Sequence, residues 1–203
     1  MGAKNKMAFR ELPDAAKEAA RRSLLCEIEE NFRHEKMIAQ FVSDAKTAGI
    51  SVIPESVRLT RESGSFSVSG IDLPVVLERS GIGRRFLSAP GDFELFCAYA
   101  TAEICQTLTD SADARRFSVS VAVDQFDNND NGRAFAACDI AAGFLERYLR
   151  NLTTSLSVRL HELFEREREH MTSRSFLDEI LEAMGPVFLE NGDWEKPDEA
   201  ERR

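Results

Sequence analysis

With 203 residues, 43% of them hydrophobic and 30% charged, the chain is long enough to bury a core as one domain and polar enough to be soluble. A formal net charge of -9 argues against a nucleic-acid binder that works by neutralising phosphates. No run of about 18 apolar residues is present to span a membrane.

The opening residues, MGAKNKMAFRELPD, hold no apolar stretch behind their lysines and do not read as a signal peptide. Lys6 stands where a myristoylation signal needs Ser or Thr. A cytoplasmic location is therefore expected. The cysteines, Cys26, Cys97, Cys105 and Cys138, form no CxxC pair. They read as reduced, mostly buried small hydrophobes.

Residues 1–12 are expected to form an N-terminal arm, 13–192 a single α+β domain and 193–203 an acidic, flexible tail. Pro13-Asp14 signals a helix start. Ala16, Ala20, Leu24 and Ile28 then recur every four residues, and Met37, Ile38, Phe41, Val42 and Ala45 extend the stripe to Gly49. The polar residues 29–36 leave open whether this is one helix or two. From Ile50 the texture changes. Val57 and Leu59, then Phe66, Val68 and Ile71, alternate with polar neighbours, and Ser63-Gly64-Ser65 between them predicts a hairpin turn. Residues 78–91 hold three glycines and a proline and read as a loop.

Phe93 to Leu108 predicts a helix, with Phe93, Phe96, Cys97, Ala100, Ile104, Cys105 and Leu108 on one face. Residues 116–126, RFSVSVAVDQF, alternate cleanly and predict a strand. A long helix follows, seamed by Leu145, Leu149, Leu152, Leu156, Leu160 and Leu163. So short a seam more commonly packs inside its own chain, with a dimer interface as the alternative. The chain is thus expected as a monomer or homodimer. Thr172 or Ser173 caps a further helix through Met184, and Gly185-Pro186 breaks it. The fold class is α+β. A small antiparallel β-sheet from residues 50–72 and 116–126 is covered by several helices, one of them the long leucine-seamed helix.

The stretch FDNNDNG, residues 126–132, resembles the first half of a calcium loop. Asp127, Asn129 and Asn131 fill ligand positions 1, 3 and 5, and Gly132 fills position 6. Position 12, which needs a bidentate Glu, falls on Cys138, and the preceding segment reads as a strand. Asn and Asp tolerate turn backbone and bond their own main chain, so a turn explains every residue. No metal and no cofactor are expected.

Gly81 and Gly83 make a GxG without the strand–glycine–helix context of a phosphate loop. His161 and His170 lie on opposite faces of one predicted helix and cannot share a metal. His161 with Glu165 offers two ligands and no third nearby. No nucleophile elbow or P-loop is present. The doublets Arg84-Arg85 and Arg115-Arg116 flank the helix predicted at 93–108. Brought together, they could hold an anion or an acidic partner.

Three stretches together resemble a family of phage and prophage proteins of unknown function that are loosely labelled antitoxins. They are FRELPDAAKEAAR near the start, SGSFSVSGIDL in the middle and LFEREREHMTSRSFLDEILEAMGPVFLENGDW near the end. The first is similar to the family's Phe-x-Glu-Leu opening with an Ala-Lys-rich helix. The last is similar to its Glu-rich helix, Thr-Ser helix start and Phe-x-x-x-Gly ending. Residues 61–65 are poorer in Gly and Asp than the family's central segment. The matching motifs are structural and transfer no catalytic residue. The absence of a catalytic constellation and the net charge of -9 point to a non-enzymatic accessory protein that binds a host or toxin protein, as an antitoxin or a host-defence inhibitor would, and the resemblance supplies the phage setting. Two alternatives stand beside it: a small anion-binding protein or enzyme using the clustered arginines, and an acidic mimic of nucleic acid.

Overall fold

The computed structural model describes residues 6–31, 34–59, 64–108, 115–124, 132–185 and 187–194. The sequence places 13–192 in one domain. By proximity of Cα atoms the chain divides into two compact units, residues 1–34 with 165–203, and residues 35–164.

The first unit holds a short 3-10 turn at Phe9–Glu11, helix α1 (Asp14–Asn31), the end of α6 (Gly132–Thr172) and α7 (Arg174–Ala183). The four-residue spacing of Ala16, Ala20 and Leu24 puts them on one side of α1, where they are buried with Phe9 and Leu12 against Leu177, Leu181 and Phe188. Two side chains of the stretch expected as an arm, Phe9 and Leu12, therefore belong to this core. Ser173 caps α7, its hydroxyl accepting from the Phe176 amide at 3.3 Å. Phe188 pairs its backbone with both Met7 and Trp194. Gly192 has φ 90°, and a Cβ there would lie 2.2 Å from the Ala16 carbonyl oxygen, so only glycine lets the turn lie against α1.

The second unit runs through α2 (Glu35–Thr47), four short strands, three short helices, a hairpin and the first part of α6. α1 ends at Asn31 and α2 begins at Glu35, so the N-terminal helical stretch is two helices. Strands β1 (Ile50–Val52) and β4 (Val68–Ile71) pair antiparallel, as do β2 (Arg58–Leu59) and β3 (Gly64–Ser65). Gly64 and Ser65, expected in the turn, thus belong to a strand.

Residues 78–91 are not a single loop. Asp72 caps α3 (Leu73–Ser80), its carboxylate accepting from the Val75 amide at 3.2 Å. Gly81, at φ 71°, lets the chain leave α3 and start α4 (Ile82–Phe86) at once. The GxG is this joint.

The helix expected at 93–108 is also corrected. α5 spans only Asp92–Tyr99, and Ala100–Leu108 is strand β5. Apolar residues at 96, 100 and 104 fit a helical face, but a spacing of four is also two strand periods. In β5 Ala100, Ala102 and Ile104 turn inward and Thr101, Glu103 and Cys105 outward. β5 pairs along its whole length with β6 (Arg115–Val123), from Ala100↔Val123 to Leu108↔Arg115. The strand expected at 116–126 therefore joins β5 and not the 50–72 strands. The architecture is α+β, with three two-stranded ladders among the described residues in place of one sheet.

α6 packs its leucines inward. Leu145, Leu149 and Leu160 are fully buried, Leu156 nearly so, and Leu152 and Leu163 pack at the margin of the same core. Burial of each such side chain stabilises by roughly 1.5–3 kcal/mol. The seam is therefore occupied by this chain's own core. Phe66 stands at the centre, 5.1 Å from the Phe41 ring and 5.0 Å from Phe117. The Ser157 hydroxyl donates to the Gly64 carbonyl at 2.5 Å and ties α6 to β3. Of the cysteines expected to be mostly buried, only Cys138 is; Cys97 is half-buried, and Cys26 and Cys105 are exposed. Cys26 lies on the outer side of α1 and Cys105 on the outer face of β5.

Candidate functional site: an arginine–aromatic face

Two hollows flank α4. α4 is only five residues long, and Gly81 sets its direction, so its successive arginines project to different sides. Arg84 lines a hollow of about 410 Å³ with Val75, Glu78, Leu87 and Phe93. Arg85 lines one of about 240 Å³ with Phe86 of α4 and Phe144, Arg147, Tyr148 and Asn151 of α6.

The second hollow has the more specific chemistry. Phe86 and Phe144 stack with ring centroids 4.4 Å apart and planes 21° apart. The Arg85 guanidinium lies 5.2 Å from the Phe86 centroid and 5.9 Å from that of Phe144. The Arg147 guanidinium lies 5.3 Å from the Phe144 centroid. Each contact is a cation–π interaction, worth about 0.5–1 kcal/mol at an exposed site. Among the described residues, neither Arg85 nor Arg147 has a hydrogen bond or a carboxylate partner. Arg150, less than one turn along α6 from Arg147, does: it bonds Glu146 at 2.7 Å.

The sequence dictates this face through helical spacing. Ile140, Phe144, Arg147 and Asn151 fall at i, i+4, i+7 and i+11 and share one side of α6, away from the leucine seam. Ile140 is 51% exposed and Phe144 37%. Phe144 and Arg147, three apart, meet as helix neighbours do.

Arg84 and Arg85 line different hollows. The side chains of Arg115 and Arg116 lie outside the described residues. The partner of Arg85 is Arg147, which sequence reading passed over. The available signal was an aromatic off the leucine seam with an arginine one turn on.

Asp127, Asn129 and Asn131 lie outside the described residues. Among the described residues no group of three or more His, Cys, Asp or Glu is placed to hold a metal, and no helix is long and apolar enough to cross a membrane. His34 lies 3.6 Å from Glu167, and the His170 ring lies 4.7 Å from Phe176.

Burial pushes the Cys138 thiol up, with the Asp92 charge adding to it. Burial likewise raises Cys97, beside Glu94 and Asp72. Both thiols are thereby disfavoured as nucleophiles.

No family model, no curated protein and no solved structure matches this chain.

Proposed function

We propose that the chain acts by binding another protein through the face built from Arg85, Phe86, Phe144 and Arg147. The observation that carries this reading is the pair of aromatic-braced guanidiniums without a carboxylate partner among the described residues. Aromatic and arginine side chains at a central, exposed position are the residue types that dominate binding energy at interfaces. In a chain of net charge -9, a local cationic surface runs against the overall field and selects by charge complementarity. The neighbouring hollow lined by Val75, Leu87 and Phe93 suits an apolar anchor of the same partner. The accessory, antitoxin-like role that the resemblance implies is one setting for such binding.

A random-peptide display selection tests the reading, with the wild-type chain and Phe144→Asp as parallel baits. The expected result is a consensus enriched by the wild type and lost with Phe144→Asp. Clones that bind both baits equally, or no consensus at all, would remove this face as the binding site.

A further inference from the structure

We infer that the hollow between α4 and α6 is a socket for a carboxylate side chain, a Glu or Asp on an acidic segment of the partner protein. This rests on the protein-binding reading and names what that face selects.

The volume sets the scale. At about 240 Å³ the hollow is smaller than the roughly 300–1,000 Å³ of small-molecule pockets and matches a single inserted side chain. Electrostatics sets the sign. Arg85 and Arg147 both line it, and the nearest acid on the same stretch of α6, Glu146, is engaged by Arg150. Geometry sets the group. Neither guanidinium spends an N–H on an acceptor among the described residues, so the N–H edge of each stays open while the rings hold it in place. That edge matches a planar carboxylate through two parallel hydrogen bonds. The Asn151 amide lines the same hollow and adds a neutral donor. The Phe144 ring beside it offers contact to an apolar neighbour of the acid. A polyanion such as a nucleic acid would meet the repulsion of a chain with net charge -9, whereas one carboxylate meets mainly the local arginines.

The test uses the full chain with ¹⁵N-labelled arginine and follows the Nε–Hε resonances. Three probes are titrated: a capped Gly-Phe-Glu-Gly peptide, its Gln analogue and inorganic phosphate. The Glu peptide is expected to shift Arg85 and Arg147. The Gln analogue is expected to bind at least about tenfold more weakly, the loss typical of a charge-assisted bond, and Arg147→Gln to weaken the Glu peptide to a similar degree. Equal binding of the Gln analogue, or unchanged binding by Arg147→Gln, overturns the inference. Phosphate that displaces the Glu peptide overturns it too, in favour of a phosphorylated partner. If the Glu peptide fails while the display selection still returns clones that depend on Phe144, only the carboxylate socket falls. If dependence on Phe144 is itself absent, the protein-binding reading falls with it.

Discussion

Arg21 in the first unit and Arg85 with Arg147 in the second are the same chemical group in opposite situations. Arg21 is 8% exposed and fully engaged. Its Nε and Nη2 donate to the two Asp178 oxygens at 2.5 and 3.0 Å, and its Nη1 donates to Glu18 at 2.5 Å. The hydrogen bond to Asp178 raises its already high pKa, against the opposing effect of burial. Its guanidinium also lies 5.5 Å from the Phe9 centroid. Arg85 and Arg147 are exposed, rest on aromatic rings and have no carboxylate among the described residues. A fold that needs an arginine surrounds it with acceptors. An arginine presented on a ring with its N–H edge open is available to something else.

Substitutions on the two sides of this comparison are expected to differ in size. The largest loss is expected for Gly192→Ala, whose new Cβ meets the α1 backbone at a positive φ; about 2–4 kcal/mol of unfolding free energy should go. Trp194 is the chain's one tryptophan and meets Phe188 edge-on in the first unit, so its fluorescence during urea unfolding reads this directly. Next comes Arg21→Met. It keeps the apolar stem, leaves Asp178, 31% exposed, free to rehydrate and leaves Glu18 with Arg174 at 2.8 Å, so a loss of about 1–3 kcal/mol is expected by the same readout.

A smaller effect comes from Cys138. Its folded pKa is raised, so above the ordinary thiol range of about 8.5 the unfolded chain releases a proton that the folded chain keeps. Its contribution is present below that range and is lost as pH rises through the folded value. Stability measured from pH 8 to 10 should therefore fall less steeply in Cys138→Ala than in the wild type. Thiol labelling of the native chain should reach Cys26 and Cys105 first and Cys138 only on unfolding.

The sequence carried the long helices of this picture well and the short helices and the sheet poorly. The α6 leucines and the Ser173 cap were legible because a helix writes its core side as a local period and its start as a single residue type. The β5–β6 hairpin was half legible. Phe117, Val119, Val121 and Val123 alternate without ambiguity, whereas Phe96, Ala100 and Ile104 satisfy helix and strand alike. Nothing local decides between them; pairing with β6 does. The arginine–aromatic face was hidden for a related reason. It joins Arg85 to Arg147 across 62 residues of sequence, and only Phe144, an aromatic off the seam, hinted at a second side of α6 with work of its own.

The smallest expected effect is the most telling. Urea unfolding of the Arg85→Gln/Arg147→Gln double variant, followed by far-UV circular dichroism, asks whether the fold needs these two side chains. If they are held for a partner, the double variant loses no more than the contacts themselves supply, about 1.5 kcal/mol for three exposed cation–π contacts at about 0.5 kcal/mol each. A clearly larger loss would contradict this and make the face part of the fold's own architecture.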